Sequence, residues 1–261
     1  AIDLNSDSAI NAKKLSQVQD IINQMKTFVE QVYVPDTLAI AGFYKDWGSR
    51  GEGLGNFLTY GDFPSNGMDD PTGYMIPGGA ILNRDLSTIH PVDMNDPNEI
   101  QEFVSHSWYD YEGGKDTGLH PYAGETKFNY TGPKPPYDHL DVDQSYSWLK
   151  SPRWKGNSME VGPLARVLML YASGHEQTKD LVGMTLNKLD VPVEALFSTL
   201  GRTAARTLET KIFADAMQGW FDDLVVNIKA GETRTFNEVL WEPSSWPKQA
   251  QGVGFMEAPR G

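Results

Sequence analysis

The chain has 261 residues, 39% of them hydrophobic, enough for a substantial core in one large or two ordinary domains. A net charge of −13 excludes a general nucleic-acid binder, because phosphate recognition needs clustered lysine and arginine. The absence of cysteine excludes disulfides, thiolate metal ligands and a cysteine nucleophile within these residues.

Residues 1–150 carry 22 acidic and 10 basic side chains, net −12, whereas 151–261 are nearly balanced with 13 and 12. This implies a solvated acidic first part and a more buried or interface-bound second part. No run approaches the roughly 20 apolar residues of a membrane helix. There is no basic-then-apolar leader, residue 1 is alanine, and an apolar-periodic segment begins almost at once. The expectation is a fragment of a longer polypeptide.

Ser6-Asp7-Ser8 offers a helix cap. Ile10, Leu15, Val18, Ile22, Met25, Val29 and Val32 follow at three- and four-residue steps, predicting a helix over 8–32. Pro35-Asp36 predicts the start of a second, shorter helix through Leu38, Ala41 and Tyr44, ended by Gly48. Glycine is then dense from 48 to 79. The short β-type runs 57–60, 74–76 and 80–82 predict a small antiparallel meander with wide loops. Asp96 as cap and Pro97 at a first helical position predict a short helix over 96–108. Residues 109–160 are loop-rich, aromatic and proline-heavy, a pattern suited to covering a partner or a site.

Gly162-Pro163 predicts a helix to about Ser173, and another spans 177–188. Asp190 with Pro192 predicts the start of a long one. In it Leu196, Leu200, Ala204, Leu208, Ile212, Ala216, Trp220 and Leu224 repeat every four residues, a wide apolar face suited to a buried bundle helix. Ala230-Gly231 is a stop signal, and 232–250 read as a hairpin or extended pair. The fold class is therefore α+β, mainly α: long buried helices in a bundle, a small antiparallel β meander and extensive irregular loops. The divisions are 1–47 (N-terminal helices), 48–150 (meander and loops) and 151–261 (helical bundle and terminal motif), all parts of one large domain.

Five histidines at 90, 106, 120, 139 and 175 lack zinc-site spacing and read as structural or surface residues. Asp138, Asp141 and Asp143 lack the glycine and distal glutamate of a calcium loop. Two phrases are more specific: Ser151-Pro152-Arg153-Trp154, and Met159-Glu160-Val161-Gly162-Pro163-Leu164-Ala165-Arg166. Glu160 beside a helix start favours that N-terminus, with Arg153 or Arg166 as its ion-pair partner. Alternatively these charged residues wall a site. The chain ends Gly252-Val253-Gly254-Phe255-Met256-Glu257-Ala258-Pro259-Arg260-Gly261. Pro259 fixes its own φ and biases Ala258 toward extended geometry, so Arg260 is held on non-helical backbone. On these residues alone, Arg260 would pair with a carboxylate such as Glu257.

The phrases 151–154, 159–166 and 252–261, in that order, resemble the [NiFe]-hydrogenase large subunit, and the resemblance runs through the whole chain, closest to the membrane-bound uptake class. It implies heterolytic oxidation of H2, with a hydride passing to the metals and a proton to a nearby base. It implies a Ni–Fe centre with carbonyl and cyanide ligands on iron, held by two Cys-x-x-Cys motifs. Both motifs are missing here, so the resemblance implies the middle of a large subunit that binds no metal and turns over nothing alone. The implied partners are an iron–sulfur small subunit and the remaining segments of the large subunit; the implied location is the periplasmic side of the cytoplasmic membrane. Arg260 would overhang the metals, with Pro259 and Ala258 lining the same pocket. The alternative is an acidic, aromatic-rich carbohydrate-binding protein or glycoside hydrolase, suited by seven tryptophans, eleven tyrosines and many loop aspartates.

Overall fold

A computed structural model describes residues 10–65, 73–120, 123, 126–135, 143–232, 241–250 and 255–260. Helix α1 spans Ala12–Phe28, capped by the Asn11 side chain, which accepts a hydrogen bond from the Lys14 amide at 3.0 Å. The expected cap at Ser6-Asp7-Ser8 lies outside the described residues. A π-turn at Val29–Tyr33 leads directly into α2, Val34–Phe43, so the two predicted helices form one continuous rod. Pro35 explains the join. Its nitrogen cannot donate and its ring crowds the preceding turn. The chain widens by one residue there, and the Val34 amide reaches back to the Val29 carbonyl.

The meander is a single long hairpin. Strand β1 (Phe57–Thr59) pairs with β4 (Gly79–Ile81), and β2 (Asp62–Pro64) with β3 (Tyr74–Ile76). The register is the same on both sides of the break: Thr59 faces Gly79 and Asp62 faces Ile76. The interruption falls at Tyr60-Gly61 opposite Pro77-Gly78. Gly61 has φ 89, and a Cβ there would lie 2.6 Å from the Tyr74 ring. Tyr60 therefore leaves the ladder with its amide free for another partner.

The expected helix over 96–108 is absent. Asp96 instead accepts from the Asn98 amide at 2.8 Å, forming a tight turn, and Ile100–Phe103 is strand β5. It pairs antiparallel with β8 (Ser151–Trp154), which turns back through Lys155-Gly156 into β9 (Asn157–Ser158). Strands β6 (Tyr109–Tyr111) and β7 (Thr126–Phe128) pair within the region expected to be loops.

Residues 159–161 run beside β1: the Leu58 amide donates to the Glu160 carbonyl at 2.9 Å. Gly162 then takes φ 108, a conformation that needs glycine, and Pro163 opens α3 (Pro163–Ala172) as expected. Helix α4 spans Glu176–Leu189. Asp190, expected to begin the long helix, sits at φ 54 and closes α4 instead. A 3₁₀ turn at Val193–Phe197 follows, so Leu196 and Phe197 precede the long helix rather than lie in it. Ser198 caps α5, Thr199–Lys229, by accepting from the Gly201 amide at 3.0 Å. The expected stop is present: Gly231 donates to the Ile228 carbonyl and Glu232 to that of Asn227.

The main core joins Phe57 and Ile81 of the hairpin to Leu164, Val167 and Leu168 of α3 and to Leu196, Phe197, Ala205 and Leu208 around the start of α5. A second cluster seats Val29, Val34, Leu38 and Ala41 of the rod against Ala214 of α5 and Leu189 of α4. The apolar face of α5 is buried through Ile212 but surfaces afterwards, with Trp220 42% and Leu224 44% exposed. In the predicted hairpin region, the described residues 241–250 hold only a 3₁₀ turn at Pro243–Ser245; residues 233–240 lie outside the described residues. No helix among the described residues is long and apolar enough to cross a membrane.

Candidate functional site

Arg166 stands in the first turn of α3, where the neighbouring Leu164, Ala165, Val167 and Leu168 are all core residues. It is 2% exposed. A buried guanidinium must have every N–H satisfied and its charge compensated, and Arg166 meets both conditions. Its Nε and Nη2 donate to the two carboxylate oxygens of Glu209 on α5. Its Nη1 donates to Glu257 Oε2 at 2.9 Å and to the Ala258 carbonyl at 2.8 Å, and Nη2 also reaches the Pro259 carbonyl at 3.2 Å. Burial works against the charge of Arg166, but the Glu209 and Glu257 carboxylates outweigh it and hold its pKa above the ordinary value.

Glu257 is fixed from the other side by the interruption in the hairpin. The Tyr60 amide, freed from the ladder, donates to Glu257 Oε1 at 2.5 Å, and the Phe255 ring stands edge-on to the Tyr60 ring. Burial pushes the Glu257 carboxyl above its ordinary value. The Tyr60 amide and Arg166 pull the other way, and Asp62 adds to the rise. Burial, with help from Glu102 and Glu257, pushes the Tyr60 hydroxyl up to about 12.

Arg166, Glu209 and Glu257 line a cavity of ≈ 420 Å³, within the usual size of a ligand site. The lining also includes Asp62, Phe63 and Ile76 of the hairpin, and Arg206, Thr210 and Phe213 of α5. Phe63 holds φ 56, which is strained for an aromatic residue, and its ring packs 5.0 Å from Phe213 and stacks on Trp220. Pro259 and Arg260 complete the lining.

Of the three expected site residues, Arg260 and Pro259 border the cavity. Ala258 is not part of the lining and contributes its carbonyl to Arg166. The expected Arg260–Glu257 pair does not form, because Arg166 takes Glu257. Among the described residues neither Arg260 nor Arg206 makes an ion pair. Glu160 pairs with neither Arg153 nor Arg166; it holds Arg202 of α5 through both oxygens, at 2.6 and 2.7 Å. Arg153 belongs to β8 and lies over the Phe103 ring.

Sequence reasoning missed Glu209, Arg206, Asp62 and Phe63. The signal that could have found one of them is a lone glutamate, Glu209, between Leu208 and Ile212; the lone arginine inside the apolar run 164–170, Arg166, is its partner.

The described histidines have structural roles: His120 Nε2 contacts the Met94 carbonyl, His106 Nδ1 that of Gln144, His175 caps α4, and His90 packs on Trp154. His139, Asp138 and Asp141 lie outside the described residues. No group of three or more histidine, aspartate or glutamate side chains among the described residues is placed to hold a metal ion. The donor set of the cavity is guanidinium and carboxyl. It suits the surroundings of an anionic or anion-ligated group rather than its first coordination sphere.

The uptake hydrogenase large subunit of Rhodobacter capsulatus is 48% identical to this chain over 262 residues, covering 97% of the chain and 44% of that protein. The hydrogenase-1 large chain of Escherichia coli strain K12 is 41% identical over 261 residues, with 97% and 44% covered. Among solved structures, the reduced Ni-Fe-Se hydrogenase from D. vulgaris Hildenborough superposes with a TM-score of 0.60 at 29% identity, over 82% of this chain and 41% of that one. The reduced, active Ni-Fe-Se hydrogenase from Desulfomicrobium baculatum gives 0.64 at 25% identity, over 84% and 42%. The chain thus spans less than half the length of these relatives. The carbohydrate-active alternative finds no support among them. The family described as nickel-dependent hydrogenase matches residues 1–261, and the chain belongs to that family.

Proposed function

We propose that this chain is the part of an uptake hydrogenase large subunit that builds one wall of the active-site pocket. The reading rests on one observation: Arg260 borders a 420 Å³ cavity with no counter-ion among the described residues, while the nearest candidate, Glu257, is held by Arg166. In the whole enzyme a Ni–Fe centre with carbonyl and cyanide ligands supplies the heterolytic splitting of H2. This chain has no cysteine to ligate it, so the ligands come from elsewhere in the large subunit, and the chain alone is inactive. An iron–sulfur small subunit takes the electrons, and the assembly works on the periplasmic side of the membrane.

Within that assembly, Arg260 presents a permanent positive charge and a planar set of N–H donors to the pocket. A guanidinium remains protonated at working pH, so its contribution is preorganised electrostatics and hydrogen bonding toward acceptors in the pocket. Pro259 occupies space beside it, excludes water and fixes the backbone from which Arg260 projects. Phe63, Phe213 and Ile76 supply the apolar side of the cavity, which lowers the local dielectric and strengthens the effect of the charge.

The test is Arg260→Lys in the whole hydrogenase. Charge is kept and the planar fork is lost. The expected result is unchanged nickel and iron content with most H2 oxidation lost, a drop on the order of 100-fold or more, comparable to removing one preorganised donor. Near-normal turnover at full metal content overturns the role.

A further inference from the structure

We propose that Arg166, 94 positions earlier in the chain, is the residue that positions Arg260. The proposal rests on the reading of Arg260 given above and extends it to a second arginine, whose donors are all spent on acceptors within the protein.

Among the described residues, no backbone–backbone hydrogen bond holds residues 255–260 to the rest of the chain. Their anchors are the Phe255 ring on Tyr60, the Glu257 carboxylate on the Tyr60 amide, and Arg166. Arg166 supplies three of the bonds, to Glu257, to the Ala258 carbonyl and to the Pro259 carbonyl. The last is decisive for direction. The Pro259 carbonyl and the Arg260 nitrogen share one rigid peptide plane, so fixing that oxygen fixes the bond from which Arg260 departs.

Two carboxylates, each bonded to Arg166, keep it in place. Glu209 binds it through both oxygens from α5, and its side chain is 8% exposed against 3% for Arg166. All five guanidinium donors are used, two on Glu209, one on Glu257 and two on the Ala258 and Pro259 carbonyls. A core ion pair serving stability alone would need only the Glu209 half. The other three bonds go to the segment that ends in Arg260. Lysine cannot substitute: it has three donors on one point charge and cannot span two carboxylates and two carbonyls in a plane.

The experiment uses the whole hydrogenase with four variants: Arg166→Lys, Glu257→Gln, Arg260→Lys and, as a control, Arg202→Lys. The control breaks an equally bidentate pair, with Glu160, away from the terminal segment. Hydrogen exchange of the Tyr60 amide, which donates to Glu257 and so reports the docking of 255–260, is read beside nickel content and the kcat and KM for H2. Arg166→Lys is expected to speed exchange of the Tyr60 amide by about tenfold or more, the factor that one charge-assisted hydrogen bond carries. It is also expected to lower kcat about as far as Arg260→Lys, with KM and nickel content unchanged. Glu257→Gln should give the same pattern to a smaller extent, and it serves if the lysine variant does not fold. Arg202→Lys should leave exchange at Tyr60 unchanged.

Unchanged exchange at Tyr60 in both Arg166→Lys and Glu257→Gln overturns the positioning role. If exchange rises in Arg166→Lys while Arg260→Lys retains turnover, positioning stands and the assigned role of Arg260 is what fails. Faster exchange in the Arg202→Lys control as well would reduce Arg166 to a general stability element and overturn its specific role.

Discussion

Replacing Glu209 by leucine removes the bidentate partner of a guanidinium whose side chain is only 3% exposed. Breaking a buried pair from one side costs about 3–5 kcal/mol, because the remaining charge keeps its desolvation penalty. Glu257 stays within 2.9 Å of Arg166 Nη1 and retains part of the compensation, which places the expected loss near the lower end, about 3 kcal/mol. For a chain of this size that is a fall in Tm of roughly 6–12 °C. The double variant Arg166→Met with Glu209→Leu removes both charges, so its loss should be clearly smaller than the sum of the two single losses. Glu257 then becomes the buried group without a cation, and its raised pKa lets it take up a proton instead. The assay is thermal and urea denaturation of the four proteins of the double-mutant cycle at pH 7. A Glu209→Leu variant within about 1 kcal/mol of the parent, or single losses that add without coupling, would refute the reasoning.

Three further outcomes are expected. A Cβ on Gly201, in the first turn of α5, would fall 2.1 Å from the Leu196 carbonyl oxygen and 2.6 Å from that of Ala195. Both are backbone atoms, so Gly201→Ala should cost about 3 kcal/mol or more in denaturation experiments, and a neutral result would contradict the packing at the 3₁₀–α5 junction. Gly183 in α4 and Gly219 in α5 have nothing within 4 Å of such a Cβ. Alanine at either should stabilise by about 0.5–1 kcal/mol through helix propensity, which a melting curve reads directly. The third outcome concerns pH. Glu257 has its folded-state pKa above its unfolded value, so the folded state holds that proton more tightly. Its contribution to stability is fully present below the unfolded pKa and is lost as pH rises through the folded pKa. The stability of the parent relative to Glu257→Gln should therefore improve as pH falls through this window. That is the reverse of what Glu99 contributes, whose pKa is lowered chiefly by its bond to Lys155. A difference that is flat, or that grows with pH, would contradict the burial of Glu257.

Much of this protein was legible in the residues because the signals are local. Gly162-Pro163 announces α3, Gly231 ends α5, and short β-rich runs mark three of the four hairpin arms, since caps, stops and strand propensity act within a few residues. Residues 255–260 are likewise non-helical, as Pro259 predicts. Elements that depend on distant partners were misread. Asp96-Pro97 has the chemistry of a helix start, yet residues 100–103 form a strand because Ser151–Trp154 lies alongside, some fifty positions away. Pro35 reads as a boundary between helices, but packing of the rod on α5 carries the helix through it with a π-turn.

The candidate site divides in the same way. The sequence determined that Arg260 sits on non-helical backbone next to a proline. Only the tertiary structure decided that Glu257 belongs to Arg166 rather than to Arg260, because the partners of Arg166 lie 43 and 91 positions away, at Glu209 and Glu257. No local pattern pairs residues across such distances. The choice is made when α3, α5 and the break in the hairpin close around one buried guanidinium, which must satisfy five donors and a charge with whatever acceptors the packing brings within reach.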